Sequence, residues 1–124
     1  MRKNGYEKTQ EEIFQERADI LYHTGNKLSE ALDRLGAIEE AIEAKLVLLR
    51  ESVEKGLDND CHRFFTEANG EIRKYNKARE HAELRYYYLI VTREAMGFRR
   101  HKWVDEMYKI PPKKEILKRL NEPL

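Results

Sequence analysis

Residues 14–49, FQERADILYHTGNKLSEALDRLGAIEEAIEAKLVLL, carry an apolar side chain at every seventh position. On a helix, a seven-residue repeat places these side chains in one stripe along a single face. The stripe consists of Phe14, Leu21, Leu28, Leu35, Ile42 and Leu49. Additional apolar side chains beside it are Ala31, Leu32, Ile38, Leu46 and Val53. This apolar face is wider than a two-stranded coiled-coil seam, so the pattern predicts a long helix with more than one neighbour.

The stretch His23-Thr24-Gly25-Asn26 is the candidate break in this helix. Glycine costs about 1 kcal/mol relative to alanine in a helix interior, and asparagine is a residue type that caps new helices. A loop would normally shift the heptad phase, yet Leu21 and Leu28 stay in register. We therefore predict one helix from about residue 8 to about residue 55. The alternative is a short first helix within a three-helix bundle.

A turn is predicted at Lys55-Gly56-Leu57, where Gly56 suits a left-handed C′ position and Leu57 the apolar contact of a Schellman motif. Asp58, Asn59 and Asp60 then offer oxygens that can cap a second helix. That helix shows alternating three- and four-residue spacing through Cys61, Phe65, Ala68, Ile72, Tyr75, Arg79, Ala82, Tyr86, Leu89, Arg93 and Met96, and stops near Gly97. We expect two antiparallel arms of about 40 residues each, joined as a helical hairpin.

Two arginines occupy core-type positions of the second helix, where an unpaired charge would cost several kcal/mol. In an antiparallel hairpin whose facing residue numbers sum to about 114, Arg79 lies near Asp33 or Glu39, and Arg93 lies near Asp19. We expect these pairs to set the register of the hairpin rather than to form an active site.

Beyond Gly97 the apolar pattern shortens. Trp103, Val104, Met107 and Tyr108 predict a two-turn helix, which Ile110-Pro111-Pro112 ends. Pro112 can then begin a last helix that carries Ile116, Leu117 and Leu120. We therefore expect a helical hairpin over residues 1–98 and a short, basic helical tail over residues 99–124 that packs near its open end.

A lone hairpin would leave many apolar side chains in water. We expect these side chains to be buried in a dimer or partner interface, with a coiled-coil-like four-helix bundle formed by a homodimer as the preferred assembly. They are Ile13, Ile20, Ile38, Phe64, Tyr87, Tyr88, Ile90 and Val91.

Composition points to a cytoplasmic protein without a membrane segment. The longest apolar run, residues 86–91, has six residues against the roughly 20 of a membrane-spanning helix. The N-terminus lacks the apolar region of a secretory signal. A single cysteine, Cys61, excludes an intrachain disulfide and fits a reducing compartment.

No residue constellation supports catalysis or a metal centre, so we expect neither an enzyme nor a cofactor. The Glu-x-x-His spacing of di-iron bundles is absent from the sequence. Asp58, Asp60, Cys61 and His62 are possible zinc ligands, but four neighbours at a helix start cannot all face one tetrahedral centre. Glycine-rich phosphate loops and nucleophile elbows are also missing.

Charge is balanced overall, with 24 Lys plus Arg against 23 Asp plus Glu, but not along the chain. Residues 93–124 hold nine basic and five acidic residues, a net +4, whereas residues 1–56 hold nine and twelve, a net −3. The possible nucleic-acid contacts in the basic tail are Arg99, Arg100, Lys102, Lys113, Lys114, Lys118 and Arg119. The expected function is a small helical interaction or assembly protein that contacts an unknown protein partner. The alternative is a nucleic-acid-associated regulator whose two tail helices form a helix-turn-helix-like unit.

Overall fold

The computed structural model describes residues 4–118, and within that range the chain contains helices and no strand. The helices are α1 (Gly5–Glu54), α2 (Asp58–Ala95) and α3 (Lys102–Met107). The first two pack against each other as a hairpin, which confirms the all-helical class and the hairpin architecture. Across the described residues, no helix combines the length and apolar character needed to cross a bilayer.

The first helix runs without a break through Gly25, as the heptad phase predicts. Its N-terminus is capped by Asn4, whose side-chain oxygen accepts a 2.8 Å hydrogen bond from the backbone N–H of Glu7. The predicted alternative of a short first helix in a three-helix bundle is therefore wrong. Continuous i→i−4 hydrogen bonding outweighs the modest cost of one interior glycine.

The hairpin turn is the predicted Schellman motif. Gly56 has φ +70°, and its N–H bonds the Val53 carbonyl while the Leu57 N–H bonds the Ser52 carbonyl. The predicted capping of α2 by an Asp or Asn side chain is wrong, because the N-cap is Leu57. Asp58 and Asp60 lie in the first turn of α2 instead, where carboxylates interact favourably with the helix dipole.

The core lies along the line where the two predicted stripes meet. The larger buried cluster occupies the middle of the hairpin and consists of Ala31, Leu35, Ile42, Ile72, Tyr75 and Ala82. The second cluster lies nearer the end where α2 stops, and joins Leu28 and Leu89 to Val104 of α3. This contact fixes α3 against the hairpin, because Val104 is fully buried.

The arms differ in length, against the prediction of equal arms. α1 has 50 residues and α2 has 38, so about 12 residues of α1, some 18 Å at 1.5 Å per residue, have no α2 residue opposite them. We name residues 5–20 the N-terminal extension, since every residue of it is exposed. The first buried side chain of α1 is Leu28.

The tail confirms one predicted helix and contradicts the other. α3 coincides with the predicted short helix. Residues 110–118, which we name the strap, contain no helix, so the predicted last helix beginning at Pro112 is wrong over this range. Leu120 lies outside the described residues. The backbone of the strap is held by side chains of α2, which compete with the helical hydrogen bonds it would otherwise form.

Candidate interaction surfaces

Asn69, on α2, binds the backbone of the strap with both ends of its amide group. Its Nδ2 donates a 3.1 Å hydrogen bond to the carbonyl of Leu117, and its Oδ1 accepts a 2.8 Å hydrogen bond from the N–H of the same residue. Asn69 is only 5% exposed. A buried amide needs such partners, because leaving it unpaired would cost about 1–3 kcal/mol.

Asn76 repeats this arrangement two turns further along α2. Its Nδ2 donates to the carbonyl of Lys114 at 2.8 Å, and its Oδ1 accepts from the Lys114 N–H at 2.9 Å. Four hydrogen bonds therefore attach the strap through its main chain. Recognition of this kind depends on backbone conformation and not on the side chains of the bound segment.

The spacing of the two asparagines along α2 matches the distance between the two strap residues that they bind. Asn69 and Asn76 are separated by seven residues, about 10.5 Å along a helix axis. Leu117 and Lys114 are separated by three residues, about 10 Å in an extended strand. The strap therefore runs antiparallel to α2 in register with it.

A third polar contact holds the beginning of the strap. Nε of Arg79 donates a 2.7 Å hydrogen bond to the carbonyl of Pro111, and its guanidinium pairs with Glu83 one turn along the same helix. The prediction that Arg79 faces Asp33 or Glu39 is wrong, because the strap occupies the space beside it and supplies an oxygen there.

Side chains of the strap make two selective contacts. Nζ of Lys114 lies 3.4 Å from a carboxylate oxygen of Glu39 on α1 and 5.0 Å from the ring centre of Tyr75. Leu117 packs against the larger core cluster. Burial raises the pKa of Tyr75, and the nearby carboxylate of Glu39 adds to the rise. We name this site, formed by Asn69, Asn76, Arg79, Tyr75 and Glu39, the asparagine groove.

Sequence reasoning did not identify either asparagine. Both follow directly after members of the buried series of α2, Ala68 and Tyr75. The available signal was a pair of asparagines at heptad spacing beside an apolar stripe, in a helix where asparagine is a poor helix former. Nothing in that signal identifies a distant segment as the bound element.

Arg93 forms the second polar cluster, at the C-terminus of α2. It is 7% exposed, its Nη2 donates to the carbonyl of Arg100 at 3.1 Å, and its guanidinium lies 4.7 Å and 4.9 Å from the ring centres of Phe98 and Trp103. No carboxylate of residues 4–118 pairs with it, so the predicted proximity to Asp19 is wrong. A glycine-terminated turn at Gly97 (φ +94°) folds the chain back and surrounds the guanidinium with aromatic rings and carbonyls.

The predicted interface residues divide into two groups. Ile38 packs against the larger core cluster, Ile90 packs against the smaller one, and Phe64 is half-buried beneath Arg63. Five others are exposed, namely Ile13, Ile20, Tyr87, Tyr88 and Val91. These five belong to the half of the hairpin that ends at α3.

Exposed large apolar side chains concentrate at this end. Five lie on α1 at positions 6–22: Tyr6, Ile13, Phe14, Ile20 and Tyr22. Seven more form what we name the open-end surface: Leu84, Tyr87, Tyr88, Val91, Phe98, Trp103 and Met107. Only five of the 17 exposed large apolar side chains within residues 4–118 lie elsewhere. The apolar surface is therefore local and does not extend along the whole hairpin.

The predicted nucleic-acid contacts do not form one surface. Arg99, Arg100 and Lys102 are exposed at the open end. Lys113 and Lys118 line an open cleft together with Arg73 and Lys77 of α2. Lys114 turns toward Glu39, and Arg119 lies outside the described residues. A helix-turn-helix-like unit is absent from residues 4–118, because the strap is not helical.

The described residues contain no group of three His, Cys, Asp or Glu side chains arranged to hold a metal ion. Cys61 lies at the start of α2 with its Sγ 3.3 Å from Oγ of Ser52, inside the hairpin turn. Its neighbour His62 is exposed. Comparison with known proteins adds no functional information: no family model, curated protein or solved structure matches this chain.

Proposed function

We propose that this chain is a non-enzymatic interaction or assembly protein of the cytoplasm that acts through protein–protein contacts and forms a homodimer. The N-terminal extension is the observation that carries the proposal. It presents a row of large apolar side chains at helical spacing, and about 12 of its 16 residues have no helix of their own chain opposite them. The single cysteine supports a reducing compartment.

The extension continues the face that forms the core elsewhere in α1. Ile13, Phe14 and Ile20 lie on the same side of the helix as Leu28, yet Phe14 is 75% exposed. Helical segments of about 12–15 residues are marginally stable in water without tertiary packing. Burial of this face against another helix would stabilise the extension, which favours a docking role.

The N-terminal extension and the open end of the hairpin carry opposite net charges, which favours a second copy of the chain as the partner. Residues 5–20 hold five acidic and two basic residues, a net −3. Residues 99–109, at the open end, hold four basic and two acidic residues, a net +2. The extension of one copy and the open end of another therefore carry opposite charge, and both are apolar at their centres.

In the proposed dimer, the four-helix, coiled-coil-like contact lies at one end of the molecule. Two copies would meet at their open ends, each extension packing against Tyr87, Val91 and Trp103 of the other copy. Such a contact is isologous, so it closes as a dimer and does not propagate. The rest of each hairpin would stay available for a protein partner.

Light scattering on the purified protein tests this proposal. We expect a mass of twice 14.9 kDa that shifts toward the monomer in Phe14→Glu, which places a charge at the centre of the extension. Val53→Glu is the matched control, because Val53 is also an exposed apolar residue of α1 but lies at the opposite end of the hairpin. A monomeric wild type, or equal effects of both substitutions, would contradict dimerisation through the extension.

A second candidate function, as a nucleic-acid-associated regulator, rests on the cleft between α2 and the strap. Among the described residues, five basic side chains line this cleft (Arg73, Lys77, Lys113, Lys114 and Lys118) against two acidic ones (Glu80 and Glu115). Absorbance at 260 nm on the light-scattering peak separates the two proposals. Bound nucleic acid that is removed at high salt, and is lost in Arg73→Gln with Lys77→Gln, would favour the regulator.

A further inference from the structure

The asparagine groove has the properties of a peptide-binding site that is occupied by a segment of its own chain. Its recognition elements are the amides of Asn69 and Asn76, each of which pairs with both the N–H and the carbonyl of one strap residue. Both amides lie on α2, whose position is set by the hairpin core and not by the strap. The groove is therefore built independently of the segment that fills it.

The strap is locally unsuited to the conformation in which it is held. Residues 113–117, Lys-Lys-Glu-Ile-Leu, are mostly strong helix formers, and Pro112 is well suited to the first position of a helix. The segment is nevertheless extended. Conflict between local preference and tertiary structure is expected at functional sites, where an element has two competing states.

The strap is also lightly packed. No residue of it is fully buried, and its half-buried positions are Ile110, Pro111, Lys114 and Leu117. Its attachment therefore rests chiefly on the main-chain hydrogen bonds and on the two side chains of Lys114 and Leu117. A segment from another molecule that offers the same few features could replace it.

We propose that the asparagine groove binds an extended segment of a partner protein and that the strap is its resident, displaceable occupant. The partner segment carries lysine or arginine at the position of Lys114, where Glu39 and the face of Tyr75 favour a cation. It carries leucine or another aliphatic residue three positions toward its C-terminus, where Leu117 meets the core. The remaining positions accept varied residues, because the asparagines contact only the main chain.

The affinity of a partner peptide depends on how often the strap leaves the groove. The strap is tethered, so it competes with a free peptide at high effective concentration. The apparent dissociation constant of the peptide equals its intrinsic value divided by the fraction of molecules with an open groove. A substitution that weakens the strap without altering the groove raises the fraction of molecules with an open groove. The apparent dissociation constant of the peptide should fall by the same factor.

The test uses full-length chains and a fluorescent peptide with the sequence of residues 108–118. Proline at positions 114 and 117 removes the two N–H groups that donate to Asn76 and Asn69. We expect Lys114→Pro with Leu117→Pro to bind the peptide at least about tenfold more tightly than wild type, since each lost hydrogen bond contributes about 1 kcal/mol. The control, Lys113→Pro with Ile116→Pro, keeps both donors and should bind no more tightly than wild type.

A second set of variants tests the groove itself. Adding Asn69→Leu and Asn76→Leu to the double-proline chain should abolish peptide binding, with the helical content unchanged by circular dichroism. If the double-proline chain unfolds, Leu117→Asp replaces it, because it removes the apolar anchor and keeps every backbone donor. Peptides with acidic residues at the positions of Lys114 and Leu117 should not bind, whereas alanine at position 115 or 116 should be tolerated.

Three results would overturn the proposal. The first is the absence of peptide binding by both strap-weakened chains. The second is binding that survives loss of both asparagines. The third is a wild-type dimer that the double-proline change converts to monomer, which would mean that the strap is exchanged between copies. Failure of the dimer proposal is separate, since Phe14→Glu lies outside the groove and should leave peptide binding unchanged.

Discussion

Nε of Arg93 donates a hydrogen bond to Nδ1 of His101, 3.3 Å away. Because Nδ1 accepts, the proton of the neutral ring lies on Nε2, which is 3.1 Å from a carboxylate oxygen of Glu94. The arginine is thus linked to an acidic group through the imidazole and not directly. This link ties the end of α2 to the residue that precedes α3.

Replacing Arg93 should destabilise the protein. Arg93→Met keeps the aliphatic stem but leaves the Arg100 carbonyl and Nδ1 of His101 without their donor, at an expected cost of roughly 1–3 kcal/mol. Urea unfolding followed by circular dichroism measures the change. Arg99→Met is the control, because Arg99 is exposed. The free energy of unfolding of this variant should lie within about 0.5 kcal/mol of the wild-type value. Equal stabilities of the two variants would show that the Arg93 cluster contributes nothing to folding.

Substitution of glycine by alanine should raise the stability of the protein at one position and lower it at another. Gly25→Ala should stabilise by up to about 1 kcal/mol, because Gly25 lies inside α1. The added Cβ would meet only the Tyr108 hydroxyl, at 3.4 Å. Gly97→Ala should destabilise by roughly 1–2 kcal/mol, because Gly97 has φ +94°. Thermal denaturation of both variants tests this pair, and a loss of stability in Gly25→Ala would contradict the continuous helix.

Loss of Asn69 should expose the strap to protease. Asn69→Leu removes both hydrogen bonds to Leu117, so the peptide bonds after Lys114 and Lys118 should be cleaved by trypsin faster than in wild type. Trypsin should cleave the control variant Asn59→Leu, which is changed at the exposed hairpin turn, at the wild-type rate. Mass spectrometry of early fragments identifies the bonds cut. Unchanged cleavage in Asn69→Leu would show that the asparagine does not hold the strap.

The ion pair between α1 and α2 should make stability depend on acidic pH. Nζ of Lys45 lies 2.8 Å from a carboxylate oxygen of Glu67, and this hydrogen bond lowers the pKa of Glu67 although partial burial opposes the shift. A carboxylate whose folded pKa is depressed stabilises the fold above its unfolded pKa, about 4.3, and loses that contribution as pH falls through the folded pKa.

Glu67→Gln should therefore be less stable than wild type at neutral pH, and the difference should disappear as the pH falls through the lowered folded-state pKa of Glu67. Urea midpoints at neutral and at acidic pH measure this. Glu40→Gln is the control, because no lysine or arginine of residues 4–118 forms an ion pair with Glu40. A Glu67→Gln deficit that persists at acidic pH would assign the effect to packing and not to charge.

The long-range organisation of the hairpin was predictable from local patterns. Leu28, Leu35 and Ile42 are buried as the heptad stripe requires, and the turn at Gly56 has the geometry that Lys55-Gly56-Leu57 indicates. Periodicity and turn chemistry act over a few residues, so they can be read without knowing the rest of the fold. The partners of Arg79 and Arg93 could not be read this way, because both bind segments that return from beyond Gly97.

The sequence by itself determined the helical class, the turn and the side of each arm that becomes the core, since apolar side chains at helical spacing must leave water together. Tertiary structure alone decided the conformation of residues 110–118. The side chains of residues 113–117 favour a helix, but the amides of Asn69 and Asn76, brought into register by the packed hairpin, pair with the backbone groups of Leu117 and Lys114 in an extended form. Hydrogen bonds from a distant element outweighed local preference there, because two preordered side chains offer partners that an isolated segment lacks.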